Sequence, residues 1–289
     1  MSSYIIATDT AADLPQELID RFGLTVFPLY YCFGEEIFGG EKRLEASEFY
    51  RKMREGALPT TTATNPQQIE DGLIPYLDKG LDVLYIAFSS ALSSCCQNAF
   101  LAAEELKKDY PERNIIVIDS LAASLGQGLL VYKACMLKEQ GKSLEETAKW
   151  LRENVLHLCH LFTVDDLNHL YRGGRISKTT AVLGTMINVK PVLHVDNEGK
   201  LVAVGKVRGR KKALIALVDR MEKQIKGWET RNEIVFISHG DSLEDAKFVA
   251  ALVEERFGIH EFVIDQVSPT IGAHSGPGTI ALFFLGEER

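Results

Sequence analysis

The stretch Val83-Leu84-Tyr85-Ile86-Ala87-Phe88-Ser89-Ser90-Ala91-Leu92-Ser93-Ser94-Cys95-Cys96-Gln97-Asn98 decides how the chain is read. Its opening apolar run has the length of a strand buried on both faces. The run stops at a cluster of serines, after which Phe100, Leu101, Ala103 and Leu106 recur at helical spacing. A buried strand entering a helix through a hydroxyl-rich turn is therefore predicted. At such a junction the first N–H groups of the helix lack an intrahelical acceptor and the helix dipole is positive, so an anion placed there is stabilised. Ser93 and Ser94 can add O–H donors to the same spot. One serine suffices to cap a helix, and this turn holds more than a cap needs.

Around this stretch, β-like runs alternate with amphipathic helices. Residues 4–8 read as a strand and 9–15 as a polar turn, with Asp13 as N-cap and Pro15 in the first turn of a helix ending near Phe22. Residues 26–33 read as one strand and 45–55 as a helix. Pro59-Thr60-Thr61-Thr62-Ala63-Thr64-Asn65-Pro66 reads as an extended, hydroxyl-lined segment, because prolines and β-branched residues disfavour helix. A helix over 67–77 precedes the central strand. After it come a strand at 115–118 and helices at 122–140 and 144–154, with Gly141 as the stop between them. Such β-α repetition predicts a mostly parallel, doubly wound sheet.

Near residue 155 the pattern changes. Residues 157–164 read as a strand, 165–170 as a short helix and 171–175 as a loop. The runs 189–195 and 201–207 flank Asp196-Asn197-Glu198-Gly199, a hairpin signal. A helix over 211–226, a strand at 234–238, a helix over 243–257 and a strand at 279–284 complete the chain. The expected fold class is α/β in two domains: residues 1–155 with the doubly wound parallel sheet, and residues 156–289 with a mixed sheet. The Gly-rich stretch Ile271-Gly272-Ala273-His274-Ser275-Gly276-Pro277-Gly278 reads as a loop whose glycines permit close approach to a ligand and whose imidazole can donate to an anion.

Composition narrows the function classes. The 289 residues are 46% hydrophobic and 25% charged, the balance of a soluble globular protein. A net charge of −8 argues against nucleic acid as the main partner, which requires clustered Lys and Arg. The cysteines (Cys32, Cys95, Cys96, Cys135, Cys159) are odd in number and lack a CxxC pair, so free thiols in a reducing cytoplasm are expected. No signal peptide or membrane span is read from the sequence. Asp9 and Asp13 are read as turn-organising residues, and no metal site is expected.

The motifs, in order, resemble the DegV family, which includes the bacterial fatty acid-binding subunits of fatty acid kinase. They are Asp9-Thr10-Ala11-Ala12-Asp13, Pro59-Thr60-Thr61-Thr62, Ser89-Ser90-Ala91-Leu92-Ser93, Asp119-Ser120 with Gly126-Gln127-Gly128, and Val164-Asp165-Asp166-Leu167 with Arg172-Gly173-Gly174-Arg175. Lys190-Pro191-Val192-Leu193, Arg208-Gly209-Arg210-Lys211-Lys212-Ala213 and Gly272-Ala273-His274-Ser275-Gly276-Pro277-Gly278 follow. Any one is weak; the series is specific and spans essentially the whole chain. The resemblance implies two α/β domains with a long-chain fatty acid between them. It also implies a carboxylate held by hydroxyls of the Thr segment and the Ser turn near the histidine, here Thr61, Thr62, Ser93, Ser94 and His274. Where many relatives have Ser-Gly-Thr, this chain has Ser93-Ser94-Cys95.

On that resemblance the chain is a non-catalytic carrier with no cofactor, presenting its fatty acid to a separate fatty acid kinase catalytic subunit. Arg208 is then the residue for contact with that partner or, transiently, with a membrane surface. The physics agrees, since a buried carboxylate needs hydrogen bonds and each buried methylene adds ~0.8 kcal/mol. Two rival classes are weighed. A Ser/His acyl hydrolase would use Ser93, His274 and an aspartate, but Ser93 is not in Gly-x-Ser-x-Gly. A nucleotide or phosphosugar enzyme would want a Gly-rich phosphate loop and nearby Lys or Arg, which the three candidate segments lack.

Overall fold

The computed structural model describes residues 3–177 and 188–289. Its first part runs β1 (Tyr4–Asp9), α1 (Gln16–Phe22), β2 (Thr25–Phe27), β3 (Tyr30–Phe33), β4 (Glu36–Phe38), α2 (Ala46–Arg54) and β5 (Thr60–Thr62). It continues α3 (Pro66–Leu77), β6 (Asp82–Ala87), α4 (Cys95–Asp109), β7 (Ile115–Asp119), α5 (Leu125–Glu139) and α6 (Leu144–Asn154). Strands β1, β2, β6 and β7 form a parallel sheet of order β2-β1-β6-β7. All of β6 is buried, and its period of two divides the side chains between two cores. Val83 and Tyr85 face Ile69, Leu73 and Leu77 of α3 with Ala99, Ala102 and Leu106 of α4. Leu84 and Ile86 face Leu125 and Leu129 of α5 and Leu151 of α6.

The second part comprises β8 (Leu158–Thr163), α7 (Leu167–Arg172), β9 (Val189–Val195), β10 (Leu201–Arg208), α8 (Arg210–Gln224) and β11 (Ile234–His239). Helix α9 (Leu243–Phe257), β12 (Glu261–Gln266), α10 (Pro269–Ser275) and β13 (Ile280–Leu285) complete it. Its strands form one mixed sheet, β10-β9-β8-β13-β11-β12, in which only β11 and β12 pair in parallel. The fold is thus α/β with a parallel sheet and a mixed sheet, as expected. Helix α5 joins them: Leu84 and Ile86 share a core with Leu125 and Leu129 and with Phe162, Phe236 and Phe283 of the mixed sheet.

Several elements differ from the sequence reading for identifiable reasons. The strand at 26–33 is broken at Pro28, which has no N–H to donate. Strand β2 stays in the parallel sheet, while β3 pairs antiparallel with β4 and β5 in a separate sheet of order β4-β3-β5. Asp13 is not an N-cap. It closes a short 3-10 turn at Thr10–Ala12 with φ +52, and α1 starts after Pro15.

Helix α4 buries Cys95, Cys96, Ala99, Ala102, Ala103 and Leu106, whereas Phe100 and Leu101 are exposed; its small side chains are what allow close packing on the sheet. The loop expected at 271–278 is helical through Ser275. Pro269 starts that helix, and Gly272 lets it press on α2, where a Cβ would come within 2.6 Å of the Tyr50 hydroxyl. Strand β12, a parallel edge strand containing Phe262-Val263-Ile264, was absent from the sequence reading.

Candidate functional site

The serine turn after β6 is braced by the aspartates of the motifs. Asp9, fully buried at the end of β1, accepts from the N–H groups of Ala11 (3.1 Å) and Phe88 (3.0 Å) and from Gln127 Nε2 (3.2 Å). Asp119 Oδ1 accepts from the Ser90 N–H at 3.2 Å and the Leu121 N–H at 2.9 Å. Ser89 is wholly buried and donates to the Gly199 carbonyl at 3.1 Å, a structural bond between the turn and the β9–β10 hairpin. The serines left to face a ligand are Ser93 and Ser94. Ser93 Oγ accepts from the Cys95 N–H at 3.3 Å and donates to Cys95 Sγ at 3.1 Å, so it caps α4 from the position before the N-cap Ser94. Burial pushes the Cys95 thiol up to about 12, which keeps it protonated and unreactive.

A cavity of about 200 Å³ opens beside this turn, and Thr61, Thr62, Ser93, Ser94 and His274 all line it. Thr61 sits on β5, paired with Tyr31 of β3, and its Oγ1 is 2.7 Å from Nε2 of His274 on the last turn of α10. The five predicted residues, drawn from three distant segments, are therefore brought to one cavity. Most of its wall is apolar, including Leu29, Phe88, Leu92, Phe162, Leu201 and Phe283. Burial, and then Arg175, hold His274 down at about 4, so near neutral pH the imidazole is uncharged. Its Nδ1 is buried without a hydrogen-bond partner.

A second recess of about 270 Å³ shares Thr61, Arg175 and His274 with the cavity and adds Leu58, His169 and Arg172. The Thr61–His274 pair thus stands between an apolar chamber and a polar outer recess. The three candidate segments themselves carry no Lys or Arg, and the fold brings Arg175 from the loop after α7 to line both cavities. Its Nε donates to the Leu92 carbonyl at 3.0 Å and its Nη1 to the Gly173 carbonyl, which ties the loop after α7 to the serine turn. The sequence signal for it was the Gly-Gly-Arg loop after a short helix. His160, on β8, also lines the cavity and carried no signal, because one histidine within a buried strand resembles any core position.

Arg208 ends β10, is exposed and does not line the cavity. Ser93 and His274 share no hydrogen bond: the serine is engaged with Cys95 and the imidazole with Thr61. What the arrangement offers is a set of hydroxyls and a neutral imidazole, with the Arg175 guanidinium beside them, at the end of an apolar chamber, suited to one anionic or polar head on a hydrocarbon body.

Fold and cavity define an α/β protein with an amphipathic chamber between a parallel and a mixed sheet. The profile of the family described as "Uncharacterised protein, DegV family" matches residues 3–287, and the chain belongs to that family. It is 40% identical to a DegV domain-containing protein of Clostridium perfringens over 100% of this chain and 99% of the relative. A DegV family protein from Thermus thermophilus, described by its fatty acid binding, superposes with a TM-score of 0.87 at 31% identity, covering 98% of this chain and 99% of that one. A stearic acid-binding protein from Eubacterium ventriosum gives a TM-score of 0.90 at 25% identity, covering 98% of each chain. DegV of Bacillus subtilis, a fatty acid binding protein, gives 0.83 at 28% identity, covering 99% of this chain and 100% of that one.

Proposed function

We propose that this chain binds a long-chain fatty acid, with its acyl chain in the apolar cavity and its carboxylate against Thr61, Ser93 and His274. The supporting observation is the chamber itself, apolar along its walls and ending at a 2.7 Å threonine–histidine pair. The fatty acid binding described for the Thermus thermophilus, Eubacterium ventriosum and Bacillus subtilis proteins supports the same ligand class. Hydroxyls and helix N–H groups can satisfy a carboxylate without a fixed countercharge, and each buried methylene adds ~0.8 kcal/mol. Thr62 and Ser94, exposed at the same cavity, complete the ring of hydroxyls. Residues 1–155 and 156–289 are the two domains that enclose the ligand.

The finer reading is of a carrier that performs no chemistry alone and needs no cofactor. A separate fatty acid kinase catalytic subunit transfers phosphate from ATP to the carboxylate, reached through the outer recess, and makes an acyl phosphate. Arg208 serves encounter with that partner and transient contact with a membrane surface, and the carrier works in the cytoplasm. A Ser/His acyl hydrolase is disfavoured because Ser93 and His274 are not hydrogen-bonded to each other.

Titration with a fluorescent long-chain fatty acid tests the head-group site. Ser93→Ala or Thr61→Ala is expected to weaken binding by about 1–3 kcal/mol, the cost of leaving a buried polar group short of a partner. Unchanged affinity in both variants would remove these residues from the site.

A further inference from the structure

The cavity wall contains one polar side chain that the carboxylate site leaves unused. His160 is 2% exposed, and neither of its ring nitrogens has a hydrogen-bond partner. The Leu158 carbonyl approaches the ring without reaching hydrogen-bond geometry. Burial first, and then Arg289, keep the imidazole from taking a proton, so it presents one N–H donor and one lone pair. Leaving both unmet in an apolar wall carries a desolvation cost that a leucine or phenylalanine there would not incur. The ring packs on α5 at Gly126, where the absence of a Cβ makes space for its Nε2 edge.

The position along the strand is informative. On β8, His160 pairs with Phe283, and three residues further on Thr163 pairs with Ile280. Thr163 is at the end of β8 that leads into α7, whose residues His169 and Arg172 line the outer recess. At the rise of a strand, His160 is therefore ~10 Å back from that end. His160 lines the chamber but not the recess that Thr61 and His274 share with it, so a ligand group meeting it belongs to the acyl chain and not to a carboxylate held at that pair.

We propose that His160 forms an internal polar subsite that accepts a mid-chain hydroxyl, making hydroxylated long-chain fatty acids a ligand class of this cavity. The inference rests on the fatty acid reading above and deepens it. A hydroxyl entering a wholly apolar chamber loses its water partners without replacement, and an unpartnered nitrogen of a neutral imidazole, which can donate or accept according to tautomer, replaces one of them. The alternative role is packing, since His160 lies edge-on to Phe283 with ring centroids 5.5 Å apart at 90°.

Binding of octadecanoic acid and of octadecanoic acids hydroxylated at successive mid-chain carbons is measured for the wild type and His160→Phe, which keeps the ring but not its nitrogens. At the best hydroxyl position the wild type is expected to bind within about threefold of octadecanoic acid, and His160→Phe to shift that ratio about tenfold against the hydroxy acid. Equal ratios in the two proteins would make His160 a packing residue and overturn the proposal. Should the variant not fold, the wild type decides: at least tenfold weaker binding at every mid-chain position overturns it, and tolerance at one position supports it. Failure of octadecanoic acid itself to bind would instead reject the fatty acid reading on which the proposal rests.

Discussion

Thr61 and His274 are separated by 213 positions in the chain and share a 2.7 Å hydrogen bond. Each stood out for a local reason, the threonine in a proline-bounded extended segment and the histidine among glycines, yet no local rule stated that they meet. Asp13 shows the converse. It reads as a cap, but it is buried and hydrogen-bonded to Ser124, and burial pushes its carboxyl from 3.8 up to about 7. Between these values the folded state holds a proton that the unfolded chain has released, so this group makes stability fall as pH rises from about 4 to about 7. His274, held at about 4 rather than 6.5, has the opposite sign and loses stability as pH falls through that window. Asp13→Asn should therefore show a smaller drop in Tm between about pH 5 and about pH 8 than the wild type, His274 being common to both. An identical drop in both proteins would mean that Asp13 is ionised throughout.

At the scale of elements, legibility followed burial. Strand β6 was readable because it is apolar on both faces, and α9 because its periodicity is uninterrupted from Leu243 to Phe257. The hairpin of β9 and β10 was readable from its Asp-Asn-Glu-Gly turn. What escaped were short elements whose identity depends on partners distant in sequence. Strands β2 and β3 are nearly continuous in the chain but belong to different sheets, and the small β4-β3-β5 sheet places Thr61 beside α10. Helix α10 itself was hidden by Gly272 within it and by Gly276 and Gly278 just after it, since glycine lowers helix propensity; Gly272 is there for contact with Tyr50 rather than for backbone freedom.

On the scale of the whole molecule, a net charge of −8 makes a local cation count for more. Arg208 is exposed at the end of β10, remote from the lining of the cavity, so its expected effect is on encounter and not on ligand retention. Arg208→Ala should leave fatty acid affinity unchanged and lower kinase-coupled acyl phosphate formation on the order of tenfold at low salt, with the deficit shrinking as salt screens the wild type. Loss of both activities would make it a structural residue, and loss of neither would remove it from the mechanism. No helix among the described residues is long and apolar enough to cross a membrane, so the proposed membrane contact is one of surface encounter.

A fatty acid is proposed to fill the chamber between the parallel and mixed sheets. Mass spectrometry of the gently purified protein, measured intact under native conditions and again after denaturation and extraction, tests it most directly. A long-chain fatty acid is expected to be released at close to one per chain. A protein that comes through empty and fails to take up added long-chain fatty acid, or that releases a phosphorylated small molecule in its place, would contradict it.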